Sequence, residues 1–264
     1  MECAWVTTNI LDMRAEPDHR AERVNQLLFA DLVSWSAEKR GFAYVRRWDG
    51  YRGWADRRFL ASLSERRAVA YSRRPAAVVT ALQSRLLDFD GRPLPPHLLY
   101  YGTIVALDRL EARRLILVAP DGSRLCVKAS SVRPIKEYNR GPLTGRDLVR
   151  EAGRLVGVPY LWGGITAAGL DCSGLVQTVG RRLGLSLPRD SKDQIRTGRP
   201  VERARTICGD LVFFPGHVAI AVGRDRIIHS SRGGGGVRIE SLAPDAPAYR
   251  SDLDQSYLEA RRII

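Results

Sequence analysis

The chain has 264 residues, of which 44% are hydrophobic and 27% are charged, and this balance excludes a disordered, collagen-like or membrane-embedded protein. Such a length predicts one large domain or two to three smaller ones. The formal net charge is +13, and only four of the 42 Lys and Arg residues are lysine. Because this positive charge is spread over both halves and no aromatic-plus-basic RNA motif is visible, the sequence predicts no nucleic-acid partner. Diffuse positive charge suits any anionic partner, including a carboxylate-rich substrate.

The termini, cysteines and apolar runs indicate no membrane span and no disulfide framework. The four cysteines are scattered and form no CxxC pair. The N-terminus has an acid at position 2 and no apolar core, which argues against a secretory signal. The longest uncharged run, 155–170, is interrupted by Pro159 and by glycines, and it is too short to cross a bilayer. We expect a cytoplasmic protein, with a cell-envelope or extracellular location as the alternative.

Residues 1–62 are predicted to form a first all-β domain. Strand-like segments occupy 24–35 and 42–48, and Asp49-Gly50 is a hairpin signal.

Residues 63–135 are predicted to form a second all-β domain, in which strands alternate with turn dipeptides and residues 91–97 are a proline-rich loop. Its predicted strands are 76–82, 100–107, 113–119 and 123–132.

The pattern changes around residues 136–145, and residues 141–264 are predicted to form an α+β domain with an antiparallel sheet. Thr144 and Asp147 can cap a first helix, and a second helix is predicted from Cys172 to near Gly184. Four consecutive strands follow, at 211–214, 217–223, 226–231 and 237–242.

Cys172 is placed where a glycine-rich loop enters a helix, a position at which free backbone N–H groups and the helix dipole favour a thiolate. Two of the four histidines, His217 and His229, lie on neighbouring strands of the same domain. The small residues Ala219 and Ala221 leave room above one face, so a Cys–His–His triad is sterically reasonable. His217 would take the thiol proton and His229 would fix its tautomer. The alternatives are packing roles for all three residues, or a zinc site, although no close-spaced ligand pair supports a metal.

Six motifs in the last third of the chain together resemble the NlpC/p60 superfamily of papain-like cysteine peptidases. They are GVPYLWGG (157–164), GLDCSGLV (169–176), LPRDSKDQ (187–194), GDLVFF (209–214), GHVAIAVG (216–223) and IIHSS (227–231). The resemblance implies Cys172 as nucleophile, His217 as general base and His229 as the orienting residue, without a cofactor or metal.

The resemblance also implies the substrate-binding residues of this domain. Tyr160 matches a tyrosine on the oxyanion side, and Trp162 matches a wall of the groove. Asp171 would lie near the substrate amine and Ser173 would line the site. The D-Glu carboxylate would be contacted by Arg189 and Ser191, with helix capping as the alternative role of Ser191.

The N-terminal half is similar to the two bacterial SH3-like barrels that precede the catalytic domain in γ-D-glutamyl-L-diamino acid endopeptidases. In that subfamily an acidic residue and a tyrosine of the first barrel recognise the substrate's free amine, and the matching positions are Asp31 and Tyr51. Ala30 stands where the family more often has glycine. The implied substrate is a murein (peptidoglycan) peptide that begins L-Ala-γ-D-Glu-L-diamino acid, in peptide recycling or turnover. A non-catalytic wall-binding protein and an acyltransferase with the same Cys–His pair are the alternatives.

Overall fold

The computed structural model describes residues 2–111, 113–135 and 142–264. The chain divides into two compact units, Met1–Arg140 and Gly141–Ile264. The linker predicted around residues 136–145 lies partly outside the described residues. In the described part of the chain, no helix combines the length and the apolar character needed to cross a membrane.

The first unit begins with an antiparallel sheet of seven described strands, joined in the order β3-β2-β6-β5-β4-β1-β7. Because side chains alternate along each strand, apolar residues such as Val6, Met13, Leu27 and Val45 collect on one face and form a core. The strands are β1 Glu2–Val6, β2 Ile10–Arg14, β3 Arg23–Leu28, β4 Leu32–Lys39, β5 Phe42–Arg46, β6 Arg52–Asp56 and β7 Leu60–Leu63.

The single strand predicted over residues 24–35 is wrong, because a tight turn separates β3 from β4. Ala30 adopts a φ of 66° in this turn, a left-handed conformation that favours glycine. The Asp31 carboxylate accepts a hydrogen bond from the Leu28 N–H at 2.9 Å and closes the turn. Since the turn contains no Gly, Pro or Asn, Asp31 is its one local signal, and a single aspartate in an apolar run is a weak one.

A second antiparallel sheet follows in the same unit, with the order β10-β9-β13-β12-β11-β8-β14. The proline-rich loop predicted at 91–97 is wrong, since β10 begins at Pro93. Proline lacks the N–H of a ladder, but β10 lies at the edge of the sheet, where one side of the strand needs no partner. The strands are β8 Ala76–Val79, β9 Gln83–Leu87, β10 Pro93–Tyr100, β11 Ile104–Leu110, β12 Arg114–Val118, β13 Arg124–Lys128 and β14 Val132–Pro134.

A short helix that the sequence did not predict, α1 (Glu65–Ser72), lies between the two sheets in the chain. Ser64 caps it by accepting a hydrogen bond from the Arg67 N–H. The Tyr71 hydroxyl accepts a hydrogen bond from the Ala106 N–H of the second sheet at 3.1 Å. One buried cluster contains Trp5 of β1 and Phe29 of the turn after β3 together with residues of the second sheet, such as Leu86, Leu99 and Leu115. The two sheets therefore share part of their core.

The second unit packs helices against an antiparallel sheet with the order β17-β22-β18-β19-β20-β21, as predicted for this region. The predicted capping box forms, because the Asp147 carboxylate accepts a hydrogen bond from the Thr144 N–H at 2.9 Å. The helices are α2 Gly145–Gly153, α3 Cys172–Arg182, α4 Ser191–Gln194 and α5 Ser251–Gln255. The strands are β15 Ile165–Thr166, β16 Gly169–Leu170, β17 Arg199–Val201, β18 Leu211–Phe214, β19 His217–Ala221, β20 Arg226–Ser231, β21 Gly236–Ser241 and β22 Glu259–Arg262.

Candidate active site

Cys172 is the first residue of α3, a helix that is buried along almost its entire length. The preceding residue, Asp171, is the N-cap and accepts a hydrogen bond from the Gly174 N–H at 2.6 Å. The backbone N–H groups of the first turn of a helix have no carbonyl partner within the helix. The Cys172 side chain is thus placed beside backbone donors, while its exposed fraction is only 8%.

The backbone of β19 brings a histidine next to this thiol. The Cys172 thiol is hydrogen-bonded to the backbone N–H of Val218, the residue that follows His217. Alternate residues of β19 share a face, and the pairing of Ala221 with Ile227 sets the face of β20 that lies beside them. His229 is on that same face of β20.

The two histidines are in direct contact. Nε2 of His217 lies 2.7 Å from Nδ1 of His229, and the two rings meet edge to face. His229 is completely buried. This is the mutual arrangement predicted for a base and the residue that orients it, and it leaves Nδ1 of His217 as the ring nitrogen available to the thiol.

A fourth residue, Glu240, continues this chain of contacts and was missed by the sequence analysis. Its Oε2 lies 2.7 Å from Nε2 of His229. The same oxygen accepts a hydrogen bond from Arg250 at 2.7 Å. Glu240 belongs to the strand predicted at 237–242, but only the register of β21 against β20 reveals which of its side chains face His229.

Burial sets the protonation of the catalytic candidates. It raises the pKa of Cys172 to about 11, with the negative charge of Asp171 acting in the same direction. Burial, and then His229, lower the pKa of His217 to about 3. The pKa of His229 is also lowered by burial. The thiolate favoured by the helix position is therefore outweighed by desolvation, and the resting site holds a thiol beside neutral imidazoles at neutral pH.

Tyr160 lies on the segment that leads into the site, where its backbone N–H donates to the Gly235 carbonyl at 3.1 Å. Burial and the neighbouring Cys172 and Asp171 raise the pKa of Tyr160 to about 12, so its hydroxyl stays a hydrogen-bond donor. Trp162 follows two residues later with 58% of its surface exposed, a geometry compatible with the wall of an open groove.

Asp171 and Arg189 form a buried ion pair. Arg189 donates to both oxygens of the Asp171 carboxylate, at 3.0 and 2.5 Å, and to the Ser173 hydroxyl at 2.9 Å. The carboxylate also accepts a hydrogen bond from the Gly163 N–H at 2.9 Å. The structure thus brings three predicted binding residues together, Asp171, Ser173 and Arg189, and they are hydrogen-bonded to one another. Their contacts with a substrate amine or carboxylate stay predictions.

The segment after Arg189 is anchored by a residue outside the motif assignments. The amide of Gln194 donates to the carbonyl groups of Ser173 and Pro188, at 3.0 and 2.9 Å, and is fully buried. Ser191 is the first residue of α4 and is half-buried, while Asp190 occupies the N-cap position. Its predicted contact with a carboxylate stays a prediction.

Asp31 and Tyr51 belong to the first unit. Asp31 is buried in the turn that precedes β4, where its carboxylate accepts from the Leu28 N–H. The Tyr51 hydroxyl donates to the Val24 carbonyl at 3.4 Å. Their predicted role in recognising an amine stays a prediction.

Within residues 2–111, 113–135 and 142–264, no group of three or more His, Cys, Asp or Glu side chains is arranged to hold a metal ion.

Three comparisons place this site among known proteins. Residues 157–255 match the NlpC/P60 family. The chain is 34% identical over 124 residues to a gamma-D-glutamyl-L-lysine dipeptidyl-peptidase of Bacillus subtilis, a match that covers 44% of this chain and 41% of that protein. It is 39% identical over 114 residues to the murein DD-endopeptidase MepS/murein LD-carboxypeptidase of Escherichia coli K12, covering 41% of this chain and 57% of that protein. The matched region is thus about half, or less than half, of each relative.

A solved structure extends the likeness in fold to the whole chain. The crystal structure of an NlpC/P60 family protein from Bacillus cereus superposes with a TM-score of 0.85 and covers 99% of both chains, at 22% identity. At that identity the match is one of fold.

Proposed function

We propose that the NlpC/P60 family peptidase domain carried by this chain is a cysteine endopeptidase that cleaves murein peptides at the γ-D-Glu–L-diamino acid bond. The observation that carries the proposal is the hydrogen bond of the Cys172 thiol to the backbone N–H that follows His217, together with the 2.7 Å contact between His217 and His229. A thiol at a helix N-terminus, hydrogen-bonded beside a histidine that a second histidine orients, is the arrangement that nucleophilic catalysis requires. The chemistry needs neither a cofactor nor a metal.

In the proposed mechanism, the Cys172 thiol gives its proton to Nδ1 of His217 as sulfur attacks the γ-carbonyl carbon of D-Glu. The Cys172 N–H and the Tyr160 hydroxyl stabilise the oxyanion, and one such donor is typically worth about 3 kcal/mol. The C–N bond then breaks, and His217 protonates the leaving amine. Water, deprotonated by His217, hydrolyses the thioester and restores the thiol.

The neutral resting state of the site fits this sequence of steps. Since the pKa of Cys172 is raised and that of His217 is lowered, proton transfer in the free site is unfavourable. Binding of a substrate places the electrophilic carbonyl beside the thiol and against the Cys172 N–H and the Tyr160 hydroxyl, and the oxyanion that forms there makes the transfer productive. We therefore expect slow alkylation of the free thiol and much faster acylation by a bound substrate.

The choice of bond rests on the relatives. One is named for γ-D-glutamyl-L-lysine, whereas the other is named as a DD-endopeptidase and LD-carboxypeptidase, so hydrolysis of murein peptides is their shared property. The N-terminal sheets favour the first of these specificities, if they are the SH3-like barrels that the sequence predicts. The roles of Asp31 and Tyr51 in amine recognition, and a cytoplasmic location, belong to this proposal as predictions.

Product analysis on defined peptides tests the proposal. L-Ala-γ-D-Glu-meso-diaminopimelate, its L-Lys analogue and their N-acetyl forms are incubated with the wild type, with Cys172→Ala and with Cys208→Ala as matched control, since Cys208 is a half-buried free cysteine outside the site. We expect release of L-Ala-γ-D-Glu by the wild type and the control, and none by Cys172→Ala.

Each part of the proposal has its own contrary result. Equal turnover of free and N-acetylated peptides would refute amine recognition, and activity in Cys172→Ala would refute the nucleophile. No cleavage of these peptides, together with hydrolysis of a murein peptide that contains a D,D bond, would move the specificity to that of the second relative. Binding to murein without hydrolysis would favour a wall-binding protein, and transfer of the acyl group to an added amine would favour an acyltransferase.

A further inference from the structure

The candidate triad does not end at His229. Oε2 of Glu240 lies 2.7 Å from Nε2 of His229, and the glutamate side chain is 7% exposed. We infer that Glu240 is a positioning residue that sets the tautomers of both histidines and thereby frees Nδ1 of His217 to act as the base. This inference rests on the proposed thiol mechanism.

The argument starts from the hydrogen-bond chemistry of a carboxylate, which only accepts. Glu240 also accepts from Arg250 through the same oxygen, at 2.7 Å, so Oε2 faces two donors. Nε2 of His229 must therefore carry its proton. In a neutral imidazole the other nitrogen, Nδ1, then has a lone pair and no proton.

The tautomer of His229 in turn sets that of His217. Nδ1 of His229 accepts, so Nε2 of His217, 2.7 Å away, must donate. A neutral His217 with its proton on Nε2 has a free lone pair on Nδ1, which is the nitrogen left for the Cys172 thiol. Both rings are thus set by one carboxylate that is two hydrogen bonds away from the base.

Without the acceptor at position 240, the opposite arrangement becomes accessible. His229 could then carry its proton on Nδ1 and donate to Nε2 of His217. His217 would hold its proton on Nδ1 and could not accept one from the thiol. Loss of a general base typically lowers a rate by about 10²–10⁴-fold.

The surroundings hold Glu240 in place. Arg250 is fixed from its other side by Asp252, with two bonds of 2.8 and 2.7 Å. Arg238, directly opposite His229 in the strand pairing, has its Nε 3.6 Å from the second oxygen of Glu240. Among the residues that the structure describes, the charged groups acting on His229 are Glu240, Arg250 and Arg238, with Asp252 behind Arg250.

The test compares two substitutions. Glu240→Gln keeps an amide oxygen that can accept from both His229 and Arg250, whereas Glu240→Leu keeps the bulk and removes the acceptor. We expect a kcat within about tenfold of the wild type for Glu240→Gln and a loss on the order of 100-fold for Glu240→Leu, with KM little changed. Glu259→Leu is the matched control, because Glu259 pairs with an arginine of its own strand, β22, at 2.6 Å. It should retain activity.

A second readout follows the protons directly. ¹⁵N NMR of the histidine rings should show His217 with its proton on Nε2 in the wild type and in Glu240→Gln, and a growing Nδ1–H population in Glu240→Leu. If the wild-type His217 carries its proton on Nδ1, the inference is overturned whether or not the variants fold. A kcat for Glu240→Leu within threefold of the wild type would overturn it as well. Since the NMR result does not depend on the bond that is cleaved, it stays informative even if the proposed substrate is wrong.

Discussion

Replacement of Asp171 by asparagine tests the buried ion pair at the start of α3. Asparagine caps a helix as well as aspartate does, so the bond to the Gly174 N–H survives. Its amide nitrogen, however, takes the place of Oδ2, which accepts from both Arg189 and the Gly163 N–H, so the nitrogen faces two donors. Only 2% of the Arg189 side chain is exposed, and its charge would lose the Asp171 carboxylate with which it pairs.

The expected loss follows from that burial. Removing one partner of a buried pair typically costs about 3–5 kcal/mol, and we expect Asp171→Asn to lower the free energy of unfolding of the second unit by about 3 kcal/mol. Hydrogen exchange of the α3 amides measures this value for the unit that holds the helix. Asp193→Asn is the control, because its partner Arg196 is 4.0 Å away and 81% exposed. It should change stability by less than about 0.5 kcal/mol.

A double substitution separates the ion pair from other effects. In Asp171→Asn combined with Arg189→Met, the buried charge that lost its carboxylate is also removed, so the combined loss should be at least about 2 kcal/mol smaller than the sum of the single losses. Strictly additive losses, or a loss below about 1 kcal/mol for Asp171→Asn alone, would refute the reasoning.

Two further predictions concern packing and pH. A Cβ at Gly174 would lie 2.1 Å from the Gly164 carbonyl oxygen. We therefore expect Gly174→Ala to displace the first turn of α3 and to lower peptidase activity at least about 100-fold. The control is Gly153→Ala, which has open space at its Cβ and should be neutral in the same assay. Burial lowers the folded-state pKa of His217 to about 3, so the unfolded chain binds a proton at a higher pH than the folded chain does. The stability that the neutral ring contributes is therefore present above pH 6.5, and it is lost as the pH falls from 6.5 towards 3. Between pH 7.5 and 5.5 this loss is on the order of 1 kcal/mol, measurable by urea unfolding. Parallel pH curves for the wild type and His217→Asn would contradict it.

Much of the second unit was accessible from local sequence. The capping box at Thr144, the helix that begins at Cys172 and the strands that carry His217 and His229 all follow from patterns that span a few residues. These elements agree with their own propensities, so neighbouring residues suffice to predict them.

The errors in the first unit have a common physical origin. The turn at Ala30 and the edge strand that begins at Pro93 both run against local preference. Each is tolerated for a reason outside the local sequence: the Ala30 N–H donates to the Val6 carbonyl of β1 at 2.9 Å, and Pro93 lies on a strand at the edge of its sheet. Local rules assign the commonest conformation of a segment, and here longer-range partners decide otherwise.

The sequence by itself determined the main elements of the second unit and the choice of Cys172, His217 and His229 as catalytic candidates, because residue type and spacing carry that information. Only the tertiary structure decided how these groups are protonated and what holds them. Burial reverses the effect of the helix N-terminus on the pKa of Cys172, and Asp171 is matched with Arg189 from a distant segment. Glu240 reaches His229 through strand pairing alone. Desolvation and hydrogen-bond partnership depend on which segments meet in space, and no local pattern encodes that.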